Sequence, residues 1–352
     1  MNKIKVMTIF GTRPEAIKMA PLVKELEKRE EIESIVCVTA QHRQMLDQVL
    51  DTFNITPDYD LNIMKQGQTL VDITTRVLQS LSEVISQVKP NIVLVHGDTT
   101  TTLSGSLAAF YNQVSVGHVE AGLRTYDKYS PFPEEVNRQV TGVIADMHFA
   151  PTQVSKNNLL KEGKKEETIY VTGNTAIDAL KTTVKDEYYH PIFDKIGNDK
   201  MILLTAHRRE NLGEPMKNMF RAIKRIVEEF DDIQVVYPVH LNPLVRQAAD
   251  EVDFHNFLNK SHIIMTDSGG IQEEAPSLGK PVLVLRDTTE RPEGVNAGTL
   301  KLAGTDEETI YKLTKELLTD KNEYDRMSRS SNPYGDGMSS KYIVDSIIKK
   351  FS

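Results

Sequence analysis

Short apolar runs alternate with amphipathic segments along almost the whole sequence. Runs typical of strands, at residues 3–10, 91–95 and 115–119, are each followed by a segment in which apolar residues recur with helical spacing. Strands that alternate with helices form βαβ units, in which the strands are parallel and helices cover both faces of the sheet. The sequence therefore predicts an α/β fold with doubly wound sheets and with ligands at the carboxyl ends of the strands.

The length of the chain predicts two domains. A chain of 352 residues exceeds the size that one hydrophobic core usually supports. A strand at residues 169–172 begins the second half, the polar stretch 185–199 is the linker candidate, and residues 201–205 begin a second sheet. The alternation then fails, because helical segments at residues 243–249 and 253–260 follow each other with no strand between them.

Charge and cysteine content exclude several classes of protein. Lysine and arginine total 42 against 50 aspartates and glutamates, so the net charge is −8 and a broad nucleic-acid-binding surface is not expected. No apolar run approaches the roughly 20 residues that span a bilayer, and the N-terminal segment is typical of a first strand rather than an export signal. The single cysteine, Cys37, excludes a disulfide framework and fits a reducing cytoplasm.

A glycine turn in the stretch HIIMTDSGGIQEEAP, residues 262–276, is typical of a phosphate site. An apolar strand precedes Ser268, Gly269 and Gly270, and a helical segment that contains Glu274 follows them. Helix N-termini expose unpaired N–H groups, and glycines let a ligand approach the backbone. Glu274 could accept hydrogen bonds from a ribose. The alternative is an ordinary βα turn in which Ser268 caps the helix.

Groups that transfer protons gather at the predicted strand ends. Asp98 and Glu120 end neighbouring strands, Glu134 lies in a proline-rich loop, and His207 ends the first strand of the second sheet. Carboxylates and an imidazole on both walls of a cleft can move protons on opposite faces of one substrate. The alternative for each is an ion pair or a helix cap, and Asp98 precedes Thr99 where a cap is expected.

Other kinds of site have weaker support. His96, Asp98, His118 and Glu120 carry suitable ligand atoms for a metal, but each pair lies on one strand at a spacing of two, without a known zinc signature. Neither a G-x-S-x-G elbow nor a dinucleotide-binding glycine pattern occurs. We therefore predict no metal and no nicotinamide cofactor.

Arginines near the strand ends predict a grip on an anionic group. Arg13 and Lys18 flank the first βα turn, Arg208 and Arg209 follow His207, and Arg291 lies in a later loop. Arginine binds a diphosphate in bidentate fashion, which a net acidic chain must achieve locally. Solvated surface charge is the alternative, more so for Lys18 than for Arg13.

Together, the motifs resemble the non-hydrolysing UDP-N-acetylglucosamine 2-epimerases over nearly the whole chain. They are FGTRPEAIKMAPL, VHGDTTTTL, GHVEAGLRT, SPFPEE, TAHRREN, TDSGGIQEEAPSLGKPVLVLRDTTERPEG and NPYGDG. The resemblance implies a glycosyltransferase-B-like fold, with two Rossmann-like doubly wound domains that face a cleft. We assign residues 1–170 to the first domain and 171–337 to the second, UDP-binding domain, with the last helix, 338–352, packing back on the first.

The resemblance also implies an activity. Such enzymes interconvert UDP-N-acetylglucosamine and UDP-N-acetylmannosamine without metal or nicotinamide, by elimination and re-addition of UDP through a 2-acetamidoglucal, in support of surface polysaccharide synthesis. The residues that match their catalytic positions are Asp98, Glu120, Glu134 and His207, and individual acid and base assignments stay open. The residues that match their UDP-binding positions are Arg13, Lys18, Phe254, Ser268, Gly269, Gly270, Glu274 and Arg291.

Regulation and assembly are implied in the same way. Bacterial members form cytoplasmic homodimers, and substrate can bind a second, allosteric site, whose positions are matched by Gln41, Gln44, Arg208 and His240. Gly67 stands where an arginine is often found. The alternatives are a hydrolysing epimerase or a UDP-sugar glycosyltransferase of the same fold, and a catalytically silent UDP-sugar-binding regulator.

Overall fold

The chain divides into two compact units. The computed structural model describes residues 3–40, 43–65, 67–206, 211–238, 251–289 and 291–352, and for Gln44 and Glu251 it describes the backbone alone. The first unit comprises Met1–Ala179 and Gly337–Ser352, and the second unit comprises Leu180–Asp336. Among the described residues, each helix is too short or too polar to cross a membrane.

A parallel sheet forms the centre of the first unit. Its described strands are β1 (Ile4–Phe10), β2 (Ile32–Val38), β3 (Tyr59–Asp60), β4 (Ile92–His96), β5 (Ser115–Val119), β6 (Met147–Ala150) and β7 (Ile169–Val171). Their spatial order is β3-β2-β1-β4-β5-β6-β7. The order reverses between β1 and β4, and ligands of such sheets bind in the crevice that this reversal opens at the carboxyl ends.

Helices connect the strands of the first unit. They are α1 (Arg13–Glu27), α2 (Arg43–Thr52), α3 (Leu70–Val88), α4 (Thr100–Tyr111), α5 (Glu134–Ile144), α6 (Gln153–Lys161) and α7 (Thr175–Thr183), in which the boundary to the second unit falls. Strand β4 shows why the pattern produces a doubly wound sheet. Ile92 and Leu94 are buried in one core with α1, while Val93 and Val95 are buried in the other with α3 and α4. A strand buried on both faces is continuously apolar.

One buried carboxylate ties together the turns that follow β1 and β4. Glu15 is 2% exposed, and its Oε2 accepts hydrogen bonds from the backbone N–H groups of Gly11 at 3.0 Å and Thr12 at 2.8 Å. Its Oε1 accepts a hydrogen bond from the hydroxyl of Thr99 at 2.6 Å. The first turns of α1 and α4 are therefore fixed side by side at the carboxyl edge of the sheet.

The second unit repeats the architecture. Its described strands are β8 (Lys200–Thr205), β9 (Ile233–Val236), β10 (Ile263–Thr266), β11 (Val282–Val284) and β12 (Leu300–Leu302), which are parallel in the order β12-β11-β10-β8-β9. Its described helices are α8 (Pro191–Ile196), α9 (Glu214–Glu229), α10 (Glu251–Lys260), α11 (Gly269–Glu274), α12 (Pro292–Ala297), α13 (Glu307–Thr319) and α14 (Lys321–Ser328). The predicted α/β class with two doubly wound parallel sheets is confirmed.

The last helix, α15 (Ser339–Phe351), belongs to the first unit. Its buried residues Ile343, Val344 and Ile347 join the core that contains α1, and Asp345 pairs with Arg29 at 2.8 Å. The carboxylate of Asp178 accepts hydrogen bonds from the backbone N–H groups at the start of α15.

The linker expected at residues 185–199 is wrong. This stretch contains α8, and it packs within the second unit: the N–H of Lys185 donates to Asn256 at 2.9 Å, and the ring of His190 meets Phe257 edge-on at 5.0 Å between centroids. The polar composition of this stretch does not indicate a helix, and the short helix α8 is stabilised by aromatic contacts.

Two further expectations about strands differ from the structure. The strand assigned to the second half, β7, pairs with β6 in the first sheet, so the first unit extends to Ala179, whereas the sequence places the boundary after residue 170. The two-residue edge strand β3, which pairs with β2, was not foreseen. The helical segment expected at residues 243–249 lies outside the described residues.

Candidate functional site

Asp98 follows β4 and forms a half-buried ion pair. Gly97, with a φ of 65°, turns the chain after the strand. Thr99, rather than Asp98, caps α4, because its side chain accepts a hydrogen bond from the N–H of Thr102. Asp98 instead places Oδ2 at 2.6 Å from Nη2 of Arg138 on α5. The capping alternative for Asp98 is therefore wrong.

The surroundings of Asp98 suit a group that exchanges protons. Burial raises the pKa of Asp98 to about 6, the Arg138 charge opposes this rise, and the charges of Glu120 and Glu134 add to it. An acid with a pKa near the working pH can both take up and release a proton. The side-chain amide of Asn137 donates to the backbone carbonyl of Asp98 at 2.9 Å, which fixes the turn.

Glu120 follows the neighbouring strand β5 and is held by Lys18 and Asn174. Its Oε1 lies 2.5 Å from Nζ of Lys18 and accepts a hydrogen bond from Nδ2 of Asn174 at 3.0 Å. Its Oε2 lies 3.5 Å from Nε2 of His96. Burial lowers the pKa of His96 to about 4, so this imidazole is neutral near pH 7. The backbone of Glu120 has a φ of 62°, a conformation that costs a residue with a side chain of the order of 1–3 kcal/mol.

Glu134 is the first residue of α5, and a proline-rich loop leads to it. Its Oε2 is buried and has no hydrogen-bond partner among the described residues. The adjacent Glu135 is fully buried and accepts hydrogen bonds from the N–H groups of Thr125 and Tyr126, both at 3.0 Å, which anchors the loop. The first unit thus brings Asp98, Glu120 and Glu134 to one edge of its sheet.

Sequence reasoning missed several residues of this cluster. Arg138 follows Glu134 by four positions, so helical spacing alone puts the two side chains on one face of α5, and this signal was available. Asn174 lies in the loop between β7 and α7, and no local pattern connects it to Glu120. His96 and His118 were considered as metal ligands. His118 is fully buried and contacts the carbonyl of Gly97 at 2.7 Å through Nε2. The described residues contain no group of three or more His, Cys, Asp or Glu side chains arranged to hold a metal ion.

The glycine turn of the second unit follows β10 as predicted. Ser268 occupies the N-cap position of α11, yet its side chain makes no capping hydrogen bond. The turn is fixed instead by its neighbours: the N–H of Ser268 donates to the Thr266 hydroxyl at 3.0 Å, and the Gln272 amide donates to the Ser268 carbonyl at 3.2 Å. Gly269 and Gly270 are the first two residues of the helix, so their N–H groups lie at its positive end.

Glu274 ends α11 beside a buried histidine. Nε2 of His255 lies 4.0 Å from Oε2 of Glu274, and Nδ1 of His255 lies 2.6 Å from the hydroxyl of Thr183. Phe254 precedes this histidine on α10 and is partly buried against the core. Arg291 precedes α12, and its Nε pairs with the carboxylate of Glu273. The second unit thus brings four of the predicted UDP-binding positions, from Ser268 to Glu274, onto one turn and helix.

Some of the remaining predicted residues lie within the described part of the chain, and others lie outside it. Arg13 begins α1 and Lys18 lies in its second turn, where it pairs with Glu120. Gly67 is exposed and has a φ of 71°, which an arginine would adopt only with strain. The predicted positions that lie outside the described residues are Gln41, His207, Arg208, Arg209 and His240, together with the side chain of Gln44.

Comparison with known proteins gives the family. The model of the family described as UDP-N-acetylglucosamine 2-epimerase matches residues 24–348. The chain is 70% identical over 364 aligned residues to the UDP-N-acetylglucosamine 2-epimerase of Bacillus subtilis (strain 168), with 99% of this chain and 96% of the relative covered.

Solved structures agree with the sequence match. The UDP-GlcNAc 2-epimerase from Neisseria meningitidis bound to UDP-GlcNAc is 51% identical, with a TM-score of 0.86 and coverage of 98% of this chain and 100% of that one. The UDP-GlcNAc 2-epimerase from Methanocaldococcus jannaschii is 35% identical, with a TM-score of 0.85 and coverage of 99% and 100%. These likenesses confirm the glycosyltransferase-B-like fold class. The chain therefore belongs to the non-hydrolysing UDP-N-acetylglucosamine 2-epimerase family, whose members are isomerases.

Proposed function

We propose that this UDP-N-acetylglucosamine 2-epimerase interconverts UDP-N-acetylglucosamine and UDP-N-acetylmannosamine by elimination and re-addition of UDP. The observation that carries the proposal is the cluster of Asp98, Glu120 and Glu134 at one edge of the first sheet, held by Lys18 and Arg138. Carbon 2 of the sugar is a weak acid, so inversion there needs a proton acceptor, a proton donor and a way to stabilise the departing diphosphate.

A carboxylate removes the proton from C2, the C2–H electrons form the C1–C2 double bond, and the C1–O bond breaks with its electron pair passing to UDP. UDP oxygen then adds to C1 of the 2-acetamidoglucal, while a proton reaches C2 from the opposite face. We assign one of these transfers to Asp98, because its pKa of about 6 lets it change charge near neutral pH.

Glu120 suits a different task. With Lys18 at 2.5 Å and the Asn174 amide at 3.0 Å, its carboxylate is held as an anion in a fixed orientation. We propose that Glu120 acts with Glu134 and His207 on the second proton transfer, and that Lys18 shares its charge between Glu120 and the departing UDP. The UDP moiety is assigned to Arg13, Phe254, Ser268, Gly269, Gly270, Glu274 and Arg291, with the glycine turn on the phosphates and Glu274 on the ribose.

We further propose a homodimer. Val136, Val140 and Val143 recur at spacings of four and three along α5 and are 37–73% exposed. Phe110 and Tyr111, at the end of the neighbouring α4, are more than half exposed. An apolar surface of this kind marks a protein–protein contact. Analytical ultracentrifugation measures the assembly, and a monomer at micromolar concentration would contradict it.

We also propose where the enzyme acts and how its substrate regulates it. The only cysteine, Cys37, is a buried free thiol, which supports a cytoplasmic enzyme that supplies surface polysaccharide synthesis. We propose UDP-N-acetylglucosamine as an allosteric activator at Gln41, Gln44, Arg208 and His240. A sigmoidal dependence of rate on substrate would support this second site, and a hyperbolic one would oppose it.

Isotope exchange tests the reaction directly. Incubation with UDP-N-acetylglucosamine in deuterium oxide should place deuterium at C2 of both epimers, because the proton is lost and regained. Mass spectrometry measures the label. Free N-acetylmannosamine would indicate the hydrolysing reaction, a transferred sugar would indicate a glycosyltransferase, and binding without any exchange would indicate a regulator.

A further inference from the structure

A cavity lies at the amino-terminal end of the first sheet, the end opposite the acid cluster. Its volume is about 470 Å³, which is within the range of small-molecule sites. Ser115, the first residue of β5, lines it together with His148 of β6 and the segment between α6 and β7. Strand β5 runs from this cavity to Glu120, and five residues at about 3.3 Å each separate the two ends by roughly 15 Å.

Three lysines line this cavity and lack carboxylate partners. They are Lys164, Lys165 and Lys350, and none of the three forms an ion pair within the described part of the chain. Two nearby acids are engaged by other cations, since Glu162 pairs with Arg124 at 2.6 Å and Glu166 pairs with Lys156 at 2.7 Å.

One carboxylate, that of Asp146, lines the cavity, but one of its oxygens already accepts a hydrogen bond from the backbone. Oδ2 of Asp146 accepts a hydrogen bond from the N–H of Val116 at 2.8 Å. Burial and the charge of Arg124 lower the pKa of Lys164, although Glu162 opposes them. An anion beside Lys164 would offset this unfavourable environment. The cavity therefore has an excess of positive charge.

A buried histidine gives a second, independent indication of a ligand. His148 is 1% exposed and forms part of the cavity wall. Its Nδ1 is buried and has no hydrogen-bond partner among the described residues. Burial lowers the pKa of His148 to about 4, so a neutral imidazole stands there near pH 7. Buried polar atoms are normally paired, so an imidazole with an unpaired nitrogen in the cavity wall has hydrogen-bonding capacity that the described residues do not use.

We propose that this cavity binds a small phosphorylated molecule through Lys164, Lys165 and Lys350, with His148 as a hydrogen-bonding group in its wall. Lysine binds phosphate as a point charge, whereas planar carboxylates are characteristically gripped by arginine forks, and no arginine lines this cavity. The bound anion would link α15, which carries Lys350, to the segment that follows α6. Val143 of the proposed dimer surface also lines the cavity, so the site lies beside that surface.

Calorimetric titration of the full chain with inorganic pyrophosphate tests the site. The test variant is Lys164→Gln with Lys350→Gln. The matched control is Lys161→Gln with Lys349→Gln, which removes the same charge from exposed neighbours in sequence that do not line the cavity. Pyrophosphate bound elsewhere, including at the glycine turn of the second unit, contributes equally to all three proteins. Circular dichroism verifies that each variant folds.

We expect a dissociation constant for pyrophosphate below about 1 mM in the wild type and the control. The test variant should bind pyrophosphate at least about tenfold more weakly. Equal affinities of the two double variants would overturn it, as would an equal loss in both or no binding to the wild type. Citrate should bind more weakly than pyrophosphate. Equal or tighter binding of citrate would overturn the assignment to phosphate.

Discussion

The carboxyl edges of the two sheets have the same architecture, but different groups hold the residues there. At the edge of the first sheet, Asp98 and Glu120 are carboxylates paired with the buried Arg138 and the half-buried Lys18. At the edge of the second sheet, Ser268 begins a turn that neutral groups fix, namely hydroxyls, amides and backbone N–H groups. The difference supports the proposal that the first edge transfers protons and that the second binds an anion with fixed dipoles.

Backbone geometry separates the two edges in the same way. Gly97, which precedes Asp98, and Glu120 have φ values of 65° and 62°, whereas Ser268 has an ordinary extended φ of −84°. A left-handed backbone at a glutamate is costly and persists only where the surroundings hold it, here through Lys18 and Asn174. The first edge thus carries strain at a charged residue.

Replacement of Glu120 by glutamine should have the largest effect on kcat, and it tests most directly whether the first edge transfers protons. The amide keeps the shape but loses the charge, so kcat should fall about 10³-fold with KM changed little, as for other groups that move protons. Rates of epimerisation and of deuterium uptake at C2 measure it. Glu167→Gln, at an exposed glutamate, is the control. A kcat within threefold of the wild type would remove Glu120 from the chemistry.

Replacement of Glu274 by glutamine should have a smaller effect of a different kind. If the second edge only binds, loss of a charged acceptor for ribose hydroxyls should raise KM about 10–100-fold and leave kcat nearly unchanged. Steady-state kinetics and UDP binding measure the split. Glu228→Gln, on the exposed face of α9, should change neither. A fall in kcat that equals the fall in kcat/KM would break the division of tasks.

Arg138→Gln should change the pH dependence of the first edge. Asp98 has a pKa raised to about 6, and the Arg138 charge counteracts that rise. If Asp98 acts as a carboxylate, kcat/KM should fall as the pH drops below about 6 in the wild type. Without Arg138 the pKa of Asp98 rises further, so the decline should begin about one pH unit higher.

The control for this profile is Lys128→Gln, at an exposed lysine, which should keep the wild-type midpoint. Asp98→Asn should abolish the decline together with most of the activity. A midpoint that stays in place in Arg138→Gln would show that another group controls the acid limb. A midpoint that moves to lower pH would contradict the sign of the Arg138 effect.

The sequence predicts most of the fold because apolar periodicity determines it locally. Strand β5 begins and ends where its pattern predicts, and β1 ends at the predicted residue and begins one residue later than predicted. Helix α8 escaped prediction because its six residues lie in a polar stretch, and their stability comes from distant aromatic contacts such as that of His190 with Phe257.

The sequence likewise predicts those parts of the candidate site that depend on local pattern, and it does not predict the partners that come from distant segments. Strand ends locate Asp98 and Glu120, because parallel strands bring their carboxyl ends to one edge. The partners that set their charge come from other elements: Lys18 and Asn174 are 102 and 54 positions away from Glu120. Pairing over such separations depends on packing, which no local pattern contains. The turn of the second unit is more local, so its residues were easier to foresee.

The smallest predicted effect concerns Tyr334, from the motif NPYGDG, which supports the second edge without charge. Its ring is 2% exposed, and its hydroxyl accepts a hydrogen bond from the N–H of Gly294, in α12, at 3.2 Å. Burial raises the pKa of Tyr334, and the charges of Glu293 and Glu273 add to the rise, so the phenol stays neutral. Tyr334→Phe removes this hydrogen bond, while the N–H of Gly294 keeps the carbonyl of Arg291 as an acceptor at 3.2 Å, so the free energy of unfolding should fall by about 0.5–1.5 kcal/mol.

Thermal and urea unfolding measure this loss, with Tyr189→Phe as the matched control. Tyr189 also loses one hydroxyl hydrogen bond, to Asp194 at 2.7 Å, but it is 68% exposed and water replaces the partner. Because α12 begins directly after Arg291, Tyr334→Phe should also raise KM a few-fold, while kcat and the acid limb stay unchanged. A shift of the acid limb in Tyr334→Phe would mean that the two edges are not independent, and the contrast between an edge that transfers protons and an edge that binds the ligand would then fail.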